Sequence, residues 1–182
     1  MRLIVTVCFG LAVVCSTAVA EIEKFAIPSE GGISFYWWPK LPPLEGWQQD
    51  REQSFRFGVN ALAPHGFTFA DAETVMYAKA VYKPREPATK SLEMLIDKDK
   101  ETFAARIPGI TIEEVASLST ADGKKLRSIT FFPRSKGNWE RVSYGEEDEF
   151  YLIFTLSSRS LSGYKAAMDA YEQLIGCYKE KP

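Results

Sequence analysis

Reactive side chains are scarce in this 182-residue chain, which holds one histidine, His65, and three cysteines, two of them (Cys8 and Cys15) within the first twenty residues. One histidine and one later cysteine, Cys177, fall short of the three or four ligands that a zinc site needs, so no metal is expected. The same scarcity leaves a Cys-His nucleophile pair without local support. Spacing puts Cys177 on the apolar pattern of a final helix, where it reads as a buried small hydrophobe. With residues 1–20 removed, no internal disulfide is expected, and stability has to come from packing. A cationic excess is missing as well: 22 Lys and Arg stand against 24 Asp and Glu, a net charge of −2. Neutralising phosphates takes clustered positive charge, so nucleic acid is not an expected partner. There is no Gly-x-Ser-x-Gly elbow, no Asp-x-Asp-x-Asp-Gly calcium loop and no glycine cluster to cradle phosphate. No catalytic residue and no cofactor is therefore assigned.

Long apolar runs are absent with one exception. Arg2 is followed by the apolar stretch Leu3 to Val14 and the small residues Ser16-Thr17-Ala18-Val19-Ala20, the three regions of a secretory signal peptide. The stretch is shorter than the ~20 residues that span a bilayer. Cleavage after Ala20 is expected, leaving a periplasmic or secreted protein with no stable membrane insertion.

From residue 21 to 46 the chain is aromatic and proline-rich, and a single domain is expected from 47 to 182. Ile33 to Trp38 is β-prone, and Pro39-Lys40-Leu41-Pro42-Pro43 breaks it into a stiff extended connector. Ser54 to Leu62 and Glu73 to Tyr82 read as strands. Ser91 caps a helix through about Arg106, with Leu92, Leu95, Ile96 and Phe103 at helical spacing. Four strands follow: Ile110 to Ser119 and Lys125 to Phe132 around Asp122-Gly123, the strongest hairpin signal here, then Trp139 to Tyr144 and Glu149 to Ser157 around an acidic tip, Glu146-Glu147-Asp148, expected to be solvated. A helix from about Ser162 to Lys179 closes the chain. Short loops between successive strands exclude parallel crossovers. The expected class is α+β, an antiparallel β-sheet flanked by helices.

Aromatic residues make up 13% of the chain, with Phe35, Tyr36, Trp37, Trp38 and Trp47 concentrated in the N-terminal segment. Contiguous aromatics cannot share one side of a strand. Some pack, and the rest are the candidate recognition patch.

Gly46-Trp47 with Asp50, Phe55 to Leu62 closing on Pro64 and Gly66, Tyr77 to Lys83, Ser91-Leu92-Glu93 with Leu95-Ile96, Asp99-Lys100 with Phe103, Thr120 with Asp122-Gly123-Lys124, and Leu156 to Ser160 together resemble bacterial exported proteins of the PsbP-like superfamily. Its relatives include DcrB and the Eag chaperones. The resemblance covers most of Trp47 to Tyr178 and implies an α/β/α sandwich, in a group whose members are mostly non-enzymatic. It carries over no site residue. The expectation is an exported binding or accessory protein of the cell envelope that docks a protein or peptide partner, and a homodimer is compatible with it. Two alternatives stand beside it: a small periplasmic hydrolase using His65 with a serine or Cys177, and an immunity-type inhibitor of an envelope-targeted toxin.

Overall fold

The computed structural model describes residues 21–29 and 31–180; residues 1–20, where a signal peptide is expected, lie outside the described residues. The chain runs β1 (Ile22–Ser29), β2 (Gly32–Pro39), β3 (Trp47–Gln49), α1 (Arg51–Phe57), β4 (Asn60–Pro64), β5 (Thr74–Tyr82), a 3-10 turn (Lys83–Arg85), α2 (Leu92–Arg106), β6 (Thr111–Ser119), β7 (Lys125–Phe132), β8 (Trp139–Glu147), β9 (Phe150–Ser158), α3 (Leu161–Ala166) and α4 (Met168–Gly176). β1 and β2 form a separate antiparallel hairpin, and the other seven strands form one sheet in the order β3-β4-β5-β9-β8-β7-β6. Every pairing in it is antiparallel. The expected α+β class, a sheet flanked by helices, is what is found.

β9 is the centre of the sheet, and Tyr151 to Ser158 are all buried. Its side chains alternate between two apolar layers, as a period of two requires. Leu152, Phe154 and Leu156 pack with Met76, Ala78, Tyr164, Tyr171, Leu174 and Ile175 beneath α3 and α4. Tyr151 and Ile153 pack on the opposite side with Leu95 and Ile96 of α2 and with Ile129, Phe131, Val142 and Tyr144. Ser91 caps α2 by accepting from Met94 N at 3.2 Å, and Phe103 stacks on Phe131 with ring centroids 4.0 Å apart. The Asp-Gly hairpin forms as expected: Thr120 N donates to Lys124 O at 3.0 Å, and Gly123 takes φ +84.

Several local expectations give way. Ser54 to Leu62 is not one strand; α1 occupies its first half and β4 its second. Asp50 is the N-cap, accepting from Gln53 N, and Gly58 is a left-handed C-cap at φ 66. Two good caps outweigh the alternation of Phe55, Phe57 and Val59. Ser54 Oγ then accepts from Ala61 N at 3.0 Å, fastening the helix to β4. β1 adds a strand where the sequence showed no clear one. The closing helix is divided at Ala167, the C-cap of α3 and N-cap of α4, with φ −94 and ψ −1. At the acidic tip Glu147 is only 6% exposed, because Tyr178 Oη donates to its Oε2 at 2.6 Å. Cys177 is buried as expected, at 9% exposure, but is disulfide-bonded and not a thiol; the other cysteines, Cys8 and Cys15, lie outside the described residues.

The two outer strands of the sheet are short β3 and long β6. β6 carries Glu113 and Glu114, and its pairing with β7 shifts register between Val115 and Leu118. Among the described residues no helix is long and apolar enough to cross a membrane.

Gly58 allows a specific stability test. Its positive φ already disfavours a side chain, and a Cβ there would collide with the Tyr36 ring. Gly58→Ala should cost more than about 2 kcal/mol in chemical denaturation, whereas Gly176→Ala, where nothing lies within 4 Å, should cost little.

Candidate functional site

α2 covers only part of its side of the sheet. Over β4 and β5 that side is walled by α1, by the loop after β4 and by the β1–β2 hairpin, which leave a trough. One end is a cavity of about 360 Å³ lined by Phe57, Val59, Phe69, Val75, Tyr77, Asn138, Glu140, Ser157 and Arg159 among others. The other end is a cavity of about 400 Å³ lined by Phe35, Tyr36, Trp37, Lys79, Tyr82 and Arg85, and Phe57, Val59 and Tyr77 border both.

The local sequence positions these walls. Asp50 Oδ1 accepts from Gln53 N at 3.1 Å and Oδ2 from Phe69 N at 2.8 Å. One carboxylate thus holds both the helix that ends in Phe57 and the loop that carries Phe69. The Phe57 and Phe69 ring centroids are 5.7 Å apart, and Phe69 meets Tyr77 edge-on at 5.9 Å. Phe57 is 52% exposed, a large apolar surface left at the rim.

The floor of the first cavity is polar. Glu140 on β8 lies opposite Ser157 on β9. Ser157 Oγ donates to Glu140 Oε1 at 2.7 Å, and Asn138 Nδ2 donates to Ser157 Oγ at 2.9 Å. Glu140 Oε2 is buried without a hydrogen-bond partner. Burial penalises the ionised carboxyl and pushes it up to about 7, against the opposing pull of its Ser157 and Asn138 hydrogen-bonding neighbours. Burial first, and the Glu140 charge second, also push the Tyr77 phenol above its ordinary value.

The five aromatic residues singled out in the sequence are divided between two places. Phe35, Tyr36 and Trp37 line the second end of the trough. Trp38 and Trp47 line a separate cavity of about 290 Å³ with Phe25, Leu44 and Phe55. Trp38 is 1% exposed and stacks on Phe25 at 4.0 Å. Trp37 stacks on Tyr82 at 5.3 Å, with Lys24 4.5 Å from the Phe35 ring centroid on one flank and Arg85 5.0 Å from that of Trp37 on another. Alternation along β2 separates Phe35 and Trp37 from Tyr36 and Trp38, and Tyr36 borders the same cavity as the first pair because its ring lies over Gly58. His65 is exposed in the loop after β4; its Nδ1 lies 3.4 Å from Gln48 Oε1, so its ring partner is an amide and not a carboxylate. Glu114, one of the paired carboxylates of β6, accepts two bonds from Arg127 at 2.9 and 3.0 Å, which hold its carboxyl below the usual range. Among the described residues no group of three or more His, Cys, Asp and Glu is placed to hold a metal ion.

Glu140, Ser157, Asn138, Phe57, Phe69 and Tyr77 are the site residues that sequence reasoning missed. The β8–β9 hairpin that pairs Glu140 with Ser157 was legible, but no local signal shows that the rings of Phe57, Phe69 and Tyr77, from distant parts of the chain, border the same space.

No family model and no curated protein matches the chain. A solved structure of a protein of unknown function, PA94 from Pseudomonas aeruginosa, is similar at a TM-score of 0.49 and 12% identity, over 87% of this chain and 98% of that one. A likeness of that depth carries no argument about activity.

The raised carboxyl has a consequence for stability. The folded state holds the Glu140 proton up to about 7 while the unfolded chain releases it near 4.5, so stability is highest below the lower value and falls as pH climbs between the two. The full loss is on the order of 3 kcal/mol. Glu140→Gln should remove that slope, making the variant more stable than the parent at about pH 8 and nearly equal to it at about pH 4. Urea denaturation at both pH values checks the sign.

Proposed function

We propose that this chain is an exported, non-enzymatic binding or accessory protein of the cell envelope that docks an extended segment of a protein partner in the trough. The observation that carries the reading is the trough itself: an aromatic-walled strip of sheet left open between α2 on one side and α1 with the β1–β2 hairpin on the other. Aromatic residues at such positions supply large rigid contact area at low entropic cost. Polar groups are also available where the chain of a partner would lie, since Lys79 and Arg85 border one end and Asn138, Ser157 and Glu140 the other. The leader-like first twenty residues support the envelope setting. The hydrolase reading is supported by no contact of His65 with an acid.

The test is a display selection of random peptides against the purified protein. Selected peptides should protect the amides of β5 and of 57–59 from hydrogen exchange, and Val75→Arg, which fills the trough with charge, should weaken them by about tenfold or more. Binders that ignore Val75→Arg and protect another surface would refute the reading, as would a selection that yields none.

A further inference from the structure

The inference drawn here rests on the trough reading and names the group that one end of it receives. Glu140 is 8% exposed and lines the cavity, and its Oε2 is buried with no donor. A buried carboxylate oxygen left unmatched costs more than an ordinary missing hydrogen bond, because the charge itself has lost its water. Among the described residues no lysine, arginine or histidine pairs with it. Arg159, the one cation in the lining, is exposed and donates to Ala70 O at 2.6 Å. Glu73, a second carboxylate of the lining, accepts from Ser160 Oγ. The cavity therefore holds two carboxylates against one guanidinium that is engaged with the backbone.

The walls add a second, independent preference. Phe57, Phe69 and Tyr77 stand in succession round the same space, and aromatic faces attract cations, more strongly where water is excluded. A negative oxygen at the floor and rings at the sides are complementary to one chemistry. The geometry points to a subsite for the ammonium or guanidinium group of a basic side chain in the docked segment, with the Glu140 carboxylate as counter-ion and the three rings as walls. About 360 Å³ admits such a side chain together with the backbone that bears it.

The interaction needs the Glu140 carboxylate ionised. The other titratable and charged groups lining this cavity are Tyr77 on β5, Glu73 before it and Arg159 after β9; Lys79, Arg85 and Glu86 border the far end of the trough, and Asp99 on α2 accepts from Tyr144 Oη at 3.1 Å. The phenols are held above their ordinary values, so Glu140 is the group in the cavity whose charge changes near neutrality.

The test compares acetyl-Ala-Ala-Lys-Ala-Ala-amide with the same peptide carrying norleucine in place of lysine, by titration calorimetry on the intact protein. At about pH 8 the lysine peptide should bind about tenfold more tightly, and at about pH 5.5 the preference should shrink to about twofold or less. Glu140→Gln should abolish the preference at both pH values. Phe69→Leu, which leaves the carboxylate in place, should reduce it, and this second variant decides the matter should the first fail to fold. A preference that survives Glu140→Gln overturns the assignment, as does cadaverine binding more tightly than the peptide, which would mark a site for a free diamine. Equal, measurable binding of both peptides removes the cation subsite and leaves the trough reading standing. No binding of either peptide removes the subsite, while display-selected peptides still judge the trough separately.

Discussion

A strand buried from Tyr151 to Ser158 has to be roofed on both sides, and the architecture follows from that requirement. Seven antiparallel strands present two large faces, and each must lose its water against something. α3 and α4 close one face with Tyr171 at their centre, where Tyr171 Oη donates to Phe154 O at 3.0 Å. α2 closes the other face only over β7 to β9, since its buried residues, Leu95 and Ile96, sit over that half. The remainder is closed from a distance by the β1–β2 hairpin and α1. The trough is the space between two roofs that do not meet.

The roof made by the hairpin and α1 is held in place by specific contacts. Asn60 Nδ2 donates to Pro39 O at 2.9 Å, tying the end of the hairpin to β4, and Tyr36 occupies the space that the missing side chain of Gly58 leaves. Asp50 joins α1 to the loop carrying Phe69. Preorganised walls lose less freedom when a partner is ordered between them, which favours binding without new contacts.

What could be read in the sequence was what local chemistry dictates. Ser91, Asp122-Gly123 and the alternating runs of β5 to β9 specify caps, a turn and strands whatever surrounds them. α1 was hidden because Phe55, Phe57 and Val59 alternate like a strand while Asp50 and Gly58 set helical ends, and the caps prevailed once Ser54 could bond to β4. Glu147 looked solvated at an acidic tip because its partner, Tyr178, arrives from the far end of the chain. Glu140 was illegible for a related reason: its pairing with Ser157 follows from the β8–β9 hairpin, but nothing in Trp139-Glu140-Arg141 shows that three rings from earlier in the chain will border the same cavity. Of the five aromatic candidates, alternation foretold a division between packing and lining, though not which residues would share a wall with Phe57.

β6 is an edge strand, paired with a neighbour on one side only, the kind of border on which another copy could extend the sheet indefinitely. Its slip in register between Val115 and Leu118 breaks the even spacing that such templated growth requires, and adjacent Glu113 and Glu114 would oppose their own images in a stacked array. The irregularity that spoils an ideal ladder also guards the edge against polymerising into fibrils.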